Sequence, residues 1–283
     1  VLFNSKKVKF PTELEVKGEF RYEPSSDKLK NSGVIRFVGA NSVFNQPNYD
    51  DELDLDIVIG NGGVLTFNEA PENEFLMPQL DMQKLDISSG GTMKVKADQV
   101  LNLVGALTND GTFEIADDGV LLQESTGASS GSGVAKLTRN YENSNVVNPS
   151  VGALHYVSSP VIGSTIGVTG SGADLTSNAL GYYMDGLYSN QYPTPIFLSG
   201  SNTIVAGRGY ISVGATSQSD NLDLGATFEG SEFYNGDITY TIDNVSGEIA
   251  EIDNDGFHSY TLGNPYPSPI SAKEFILENA SGG

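Results

Sequence analysis

A five-residue phrase returns along the first half of the chain and restricts its fold more than any other feature. It runs Gly, then Val or Thr, an apolar residue, a variable residue and a second apolar residue. It occurs as Gly33-Val-Ile-Arg-Phe37, Gly63-Val-Leu-Thr-Phe67, Gly91-Thr-Met-Lys-Val95, Gly111-Thr-Phe-Glu-Ile115 and Gly133-Val-Ala-Lys-Leu137. A looser copy, Gly18-Glu-Phe-Arg-Tyr22, precedes them, and the five glycines are spaced by 30, 28, 20 and 22 residues. Each phrase reads as a turn glycine followed by a short strand with alternating sides. Asn61-Gly62, Ser89-Gly90 and Asn109-Asp110 supply turn chemistry just ahead of it. A single apolar face of this size cannot bury itself, whereas stacked coils bury it continuously. The pattern therefore predicts a parallel β-helix over residues 1–133. Ile35, Leu65, Met93 and Phe113 would point the same way, and Arg36, Thr66, Lys94, Glu114 and Lys136 would form an exposed ladder. The alternative is a β-sandwich whose strands begin with Gly-Thr.

Glu124-Ser-Thr-Gly-Ala-Ser-Ser-Gly-Ser-Gly133 is the clearest break in composition and sets a boundary between 1–133 and 134–283. Beyond it lie 11 of the 13 Tyr and only four basic residues, Lys136, Arg139, Arg208 and Lys273. Short apolar runs recur between turn signals, among them Leu154 to Val157, Tyr210 to Val213, Ala226 to Phe228 and Asp237 to Ile242. This is the pattern of an antiparallel β-sandwich. One helix is predicted near the end, with Ser271 as N-cap, Glu274 completing a capping box and Ile270 with Phe275 as hydrophobic staple. The fold class is all-β: a solenoid followed by a sandwich with one short C-terminal helix.

In the second half, four phrases stand in series: His155-Tyr-Val-Ser-Ser-Pro-Val161, Ala206-Gly-Arg-Gly-Tyr-Ile211, Thr227-Phe-Glu-Gly230 and Leu262-Gly-Asn-Pro-Tyr-Pro-Ser268. Together they resemble a module of large secreted proteins of Bacteroidetes, in which repetitive β-rich regions precede a C-terminal sorting domain read by the type IX secretion system. The resemblance covers residues 134–283 well and the solenoid loosely. It implies export and an extracellular or outer-surface location, and it implies no reaction. The chain carries no sorting domain and begins at Val1 without a signal peptide, so a processed form or a fragment is expected.

Charge and side-chain inventory bound the chemistry. With 36 acidic and 15 basic residues the net charge is −21, which opposes nucleic acid as a partner. No apolar stretch reaches the length of a membrane-spanning helix. There is no cysteine, and His155 and His258 are the only histidines, so zinc is not expected. No Gly-x-Ser-x-Gly elbow occurs, and the carboxylates form no identifiable catalytic pair, so the chain is read as non-enzymatic. Gly207-Arg208-Gly209-Tyr210 lacks the ending of a phosphate loop and reads as a tight turn presenting Tyr210.

Asp253 and Asp255, in Asp253-Asn-Asp-Gly256, are the best metal candidates, since alternating oxygen side chains with a turn glycine can wrap calcium. A plain β-turn is the competing reading there and at Asp117-Asp118-Gly119. Glu52, Asp54 and Asp56 would share one face of a strand, either as a solvated edge or as a row of calcium ligands. Lys6, Lys7 and Lys9 form a basic N-terminal tip on an acidic body, a candidate contact for assembly. The function expected is an extracellular structural or adhesive surface protein, with self-association or other surface proteins as partners, including the form of a repeating subunit in a fibre or surface assembly. The alternative is binding or degradation of extracellular glycans on a β-helix, where Tyr would replace the missing Trp as stacking platform.

Overall fold

The computed structural model describes residues 2–3, 12–22, 30–45, 53–67, 79–124, 129–141, 154–164, 182–183, 196–197, 205–213, 224–239 and 262–280. No helix among them is long and apolar enough to cross a membrane. The chain divides into two compact units. The first comprises Val1–Thr138 with Glu229–Gly236 and Pro267–Pro269, and the second holds the remainder.

The first unit is a parallel β-solenoid. After β1 (Leu2–Phe3), the first coil contributes β2 (Glu13–Val16) and β3 (Glu19–Tyr22), and the second β4 (Lys30–Phe37) and β5 (Ser42–Asn45). The third gives β6 (Leu53–Ile59) and β7 (Val64–Phe67), and the fourth β8 (Gln79–Ile87) and β9 (Thr92–Val95). The fifth gives β10 (Val100–Leu103), β11 (Leu107–Asn109) and β12 (Thr112–Ile115). The sixth gives β13 (Val120–Gln123), β14 (Ser129–Ser130) and β15 (Val134–Tyr141). One wall stacks β1, β3, β5, β7, β9, β12 and β15, and the other stacks β2, β4, β6, β8, β10 and β13. Thr92 pairs Thr112, and Thr112 pairs Val134, so the repeat of 20 and then 22 residues seen in the glycines is the length of a coil.

The inner residues form unbroken rows. Leu65 pairs Met93, Met93 pairs Phe113 and Phe113 pairs Ala135, all at most 1 % exposed. Phe20, Phe37 and Phe44 fill the first coils, with Phe20 and Phe44 ring centroids 5.3 Å apart. Burying each such side chain contributes roughly 1.5–3 kcal/mol, and a stack of coils repeats that gain at every rung.

The phrase at Gly33 belongs to the other wall. It lies inside β4, where Ile35 pairs Leu14 and Ile57, so Arg36 is not part of the Thr66, Lys94, Glu114, Lys136 ladder. The second coil supplies β5 to the phrase wall instead, and the looser copy at Gly18 supplies β3. The reason is the corner: β4 continues through Gly33, with a shift in its pairing register to β6 between Lys30 and Val34, while the true phrase strands each follow a turn.

The glycines of the phrase also have another role than turning. The turns are closed by Gly63 N–H to Gly60 O at 2.9 Å and Gly91 N–H to Ser88 O at 2.8 Å, and the left-handed residues are the preceding Gly62 and Gly90, at φ 72° and 77°. Gly91 and Gly133 stand where successive coils approach too closely for a Cβ. One added at Gly91 would meet Ile59 O at 2.8 Å, and one at Gly133 would meet Gly111 O at 2.5 Å.

The second unit contains an antiparallel sheet in the order β16 (Leu154–Val157), β19 (Tyr210–Val213), β17 (Tyr182–Tyr183), β18 (Ile196–Phe197). Ala226–Phe228 falls within β20 (Leu224–Gly230), whereas Asp237–Thr239 carry no strand. Helix α1 spans Ala272–Ala280, with Ser271 Oγ accepting the Glu274 N–H at 3.3 Å and Ser271 O accepting the Phe275 N–H. Ile270 and Phe275 are 42 % and 41 % exposed.

Candidate functional site

The broadest candidate surface is the outward face of the solenoid walls. On the phrase wall, Glu114 pairs in register with both Lys94 and Lys136. Lys94 Nζ lies 3.0 Å from Glu114 Oε2, and Lys136 Nζ lies 3.1 Å from Glu229 Oε2. Asn45 Nδ2 donates to Glu19 Oε1 at 2.8 Å on the neighbouring rungs. On the opposite wall Arg36 Nε bonds Glu13 Oε1 of the neighbouring strand, and Lys84 Nζ bonds Asp86 Oδ2 of its own strand at 2.8 Å. The Lys84 ammonium is held above its usual range by the hydrogen bond and charge of Asp86; desolvation opposes them, and the charge of Asp56 adds a smaller raising effect. These cations are paired with neighbouring carboxylates. What the walls present outward is a regular, mixed-sign, half-exposed face.

The C-terminal end of the solenoid is closed by residues far away in sequence but inside the same unit. Phe233, 2 % exposed, sets its ring edge-on to Phe113 at 5.2 Å. The Leu121 N–H on β13 donates to Pro267 O at 3.3 Å, which occupies a strand edge that would otherwise be open. Burial raises the phenol pKa of neighbouring Tyr234.

In the second unit, three of the four serial phrases meet. β16 and β19 pair antiparallel, His155 opposite Ser212 and Val157 opposite Tyr210. Ser158 Oγ donates to Asn264 O at 2.6 Å, and the Gly263 N–H donates to Gly207 O at 3.0 Å beside an Arg208–Leu262 bridge. Gly263 has no room for a side chain, because its Cβ would strike Ser158 Cβ and come within 3.0 Å of Arg208 O. Ser159, 1 % exposed, takes the Val161 N–H and shares a 2.6 Å hydrogen bond with Ser164 Oγ. The turn expected at Gly207 is present, with φ 73° there and the Arg208 N–H on Val205 O. Tyr210 is not presented by it. The ring is 2 % exposed, and its hydroxyl turns back to accept the Val205 N–H at 2.8 Å. An apolar ring with one backbone donor in reach is more stable buried than displayed. These phrases are a structural junction.

The other sequence-derived candidates fare differently. Lys6, Lys7, Lys9, Asp253, Asp255, His258 and Glu52 lie outside the described residues, as does the His155 side chain. Asp117-Asp118-Gly119 is a corner turn closed by the Gly119 N–H on Ala116 O, with Asp118 at φ 57°. No group of three or more His, Cys, Asp or Glu able to hold a metal occurs among the described residues.

Sequence reasoning missed the buried polar residues of the wall. Gln99, 1 % exposed, donates to Phe67 O and accepts the Lys96 N–H. Asn109, 5 % exposed, donates to Val134 O and accepts the Gly111 N–H. Asn102, 7 % exposed, donates to Glu124 Oε1 at 2.7 Å. The available signal was an amide residue recurring just before or within an apolar run.

A family model described as a domain of unknown function, DUF8693, matches residues 66–282, and the chain belongs to that family. No curated protein and no solved structure matches the chain.

Proposed function

We propose that this member of the DUF8693 family is a non-enzymatic structural or adhesive protein of the cell exterior, in which the solenoid acts as a stiff spacer and the second unit as a folded, contact-making module. The observation that carries the reading is the solenoid wall. Several outward cations are paired with carboxylates, on neighbouring strands at Lys94–Glu114, Lys136–Glu229 and Arg36–Glu13 and within one strand at Lys84–Asp86. Such a surface favours solubility and a fixed rung register over binding a small charged substrate. The antiparallel sheet of the second unit supports reading that unit as a β-sandwich. The serial phrases and their resemblance to secreted Bacteroidetes modules are the support for an outer-surface location and for export by the type IX route.

In this reading self-association uses the N-terminal part of the chain. The Leu121 edge is already taken by Pro267, so a second copy does not add strand-on-strand at that end. Lys6, Lys7 and Lys9 are the proposed contact, drawn to the acidic body of another molecule over a screening length of about 8 Å.

The test has two arms. Protease shaving of intact cells and an adhesion assay on a deletion strain should show surface exposure and loss of attachment. A glycan array and a polysaccharide-degradation screen address the alternative. Depolymerisation abolished by a single carboxylate substitution would overturn the non-enzymatic reading. Light scattering of the chain with and without residues 1–10, across a salt series, tests the contact: unchanged monomers at low salt and high concentration would remove it.

A further inference from the structure

Helix α1 leaves an apolar face in solvent. Among the described residues of the helix and its cap, residues 271–276, every one is exposed. Ile276 is 61 % exposed, and Ile270 ahead of the cap is 42 % exposed. With nine residues the helix is about 13 Å long, short of the roughly 12–15 residues that an isolated helix needs in water. The Ser271 cap supplies part of the missing stability, and packing of an apolar face normally supplies the rest. Ala272, Lys273 and Ile276 lie together on one face, since residues three and four apart are neighbours on a helix. The charge on that face is set against the helix's own dipole. Lys273 stands in the first turn, where the positive end of the macrodipole repels it, and the last turn holds no basic residue.

We propose that α1 is a docking surface for α1 of a second copy of this chain, the two helices packing antiparallel about a two-fold axis at Ile276. The charge pattern selects this occupant. With Ile276 on the axis, Lys273 of each copy reaches the last turn of its partner's helix. There the negative end of the macrodipole attracts it, and no basic side chain of that turn competes. The contact is self-complementary and closes at two copies. It sets one Ile276 against the other, and the small Ala272 beside them lets the helix axes approach. Two helices of this length bury well under the roughly 1,200 Å² of a stable complex, so the contact is weak singly and gains by avidity wherever copies are held together. It uses α1 alone and does not rest on the contact assigned to Lys6, Lys7 and Lys9.

Because the chain has no cysteine, a single engineered thiol reports the contact. Ile276→Cys places two thiols across the axis. It should form an interchain disulfide roughly tenfold faster than Ala97→Cys, at an exposed corner of the solenoid. Sedimentation velocity of the full chain over a wide concentration series should show a reversible dimer. Ile276→Asp should abolish it, and Lys273→Glu should weaken it roughly two- to fivefold at low salt, an effect that fades as salt is added. Both positions are exposed in the single chain, so both variants should keep the parent Tm within roughly 2 °C at low concentration, which separates a lost contact from a lost fold. Deleting residues 1–10 should leave the dimer intact. A parent chain that stays monomeric throughout, equal cross-linking of Ile276→Cys and Ala97→Cys, or a dimer that survives Ile276→Asp would overturn the α1 contact. A dimer lost with residues 1–10 would also overturn it and leave the N-terminal contact standing.

Discussion

Gly133→Ala tests the claim that the repeated glycine exists for coil-to-coil approach. A Cβ built there lies 2.5 Å from Gly111 O and 2.7 Å from both Asn109 O and Asn109 Oδ1. The first two are backbone atoms, and the third ends a side chain that is not free to move. Asn109 is held by its own bonds to Val134 O and the Gly111 N–H. Relief requires moving one coil against the next by several tenths of an ångström. That motion strains the Gly133 N–H to Asn109 O bond at 2.7 Å and the Val134 N–H to Gly111 O bond at 2.8 Å. Overpacking costs about 1–3 kcal/mol, and weakening a buried hydrogen bond adds about 1 kcal/mol. The expected loss is therefore about 2–4 kcal/mol, or a Tm lower by roughly 5–15 °C. Gly18→Ala is the matched control: nothing lies within 4 Å of its Cβ position, so it should be neutral or stabilise by roughly 0.4–1 kcal/mol. Urea and thermal unfolding followed by circular dichroism give both numbers. A Gly133→Ala protein as stable as the parent, or equal effects at the two glycines, would refute the close-approach argument.

A double-mutant cycle on Lys94 and Glu114 should return a coupling of about 0.2–1 kcal/mol that shrinks with added salt, since both side chains are partly exposed; a larger, salt-independent value would mean the pair is more buried than described. Asn109→Ala should destabilise by about 2–3 kcal/mol, because Val134 O and the Gly111 N–H lose their partner in the wall, and unfolding in urea measures it. Stability should also fall in alkali. Lys84 and Tyr234 both have pKa values raised by folding, so their contributions are complete below the unfolded-state values and are lost as pH climbs through the folded ones. A denaturation series from neutral pH to above about 10 should show the decline, and Lys84→Met should flatten part of it.

The solenoid was legible because one short phrase repeats at the length of a coil, and the strands after Gly63, Gly91, Gly111 and Gly133 stack in register. Gly33 misled because composition alone does not separate a glycine inside a long strand from one at a corner. The ladder from Thr66 to Lys136 was readable for the same reason as the stack, while its partner Glu229 lies far away in sequence and was not. Tyr210 misled because a ring next to a glycine turn can face either way, and the choice rests on the Val205 N–H that meets its hydroxyl. The junction of Ser158, Gly207 and Asn264 is likewise a matter of long-range closure. Sequence showed the phrases in order and gave no sign that they touch.

The two ends of the solenoid differ in kind. A stack held by nearest-neighbour contacts is only as closed as its terminal coils. At the C-terminal side, Pro267 O takes an edge N–H and Phe233 covers Phe113, both from inside the family's matched span of residues 66–282. That span starts within β7, between Val64 and Phe67, so the first two coils and part of the third precede it. Among the described residues, the strand of the second wall nearest the N-terminus is β2, whose Glu13 and Glu15 are exposed acids. Charged side chains on such a strand oppose the addition of another one, and Glu13 is also fixed by Arg36 of the next rung. Among the described residues, covering closes the C-terminal side, while at the other side exposed acids mark β2 of the second wall and the first wall continues to β1. For the proposed spacer role, closure of this kind would leave specific contact to side chains and to the second unit.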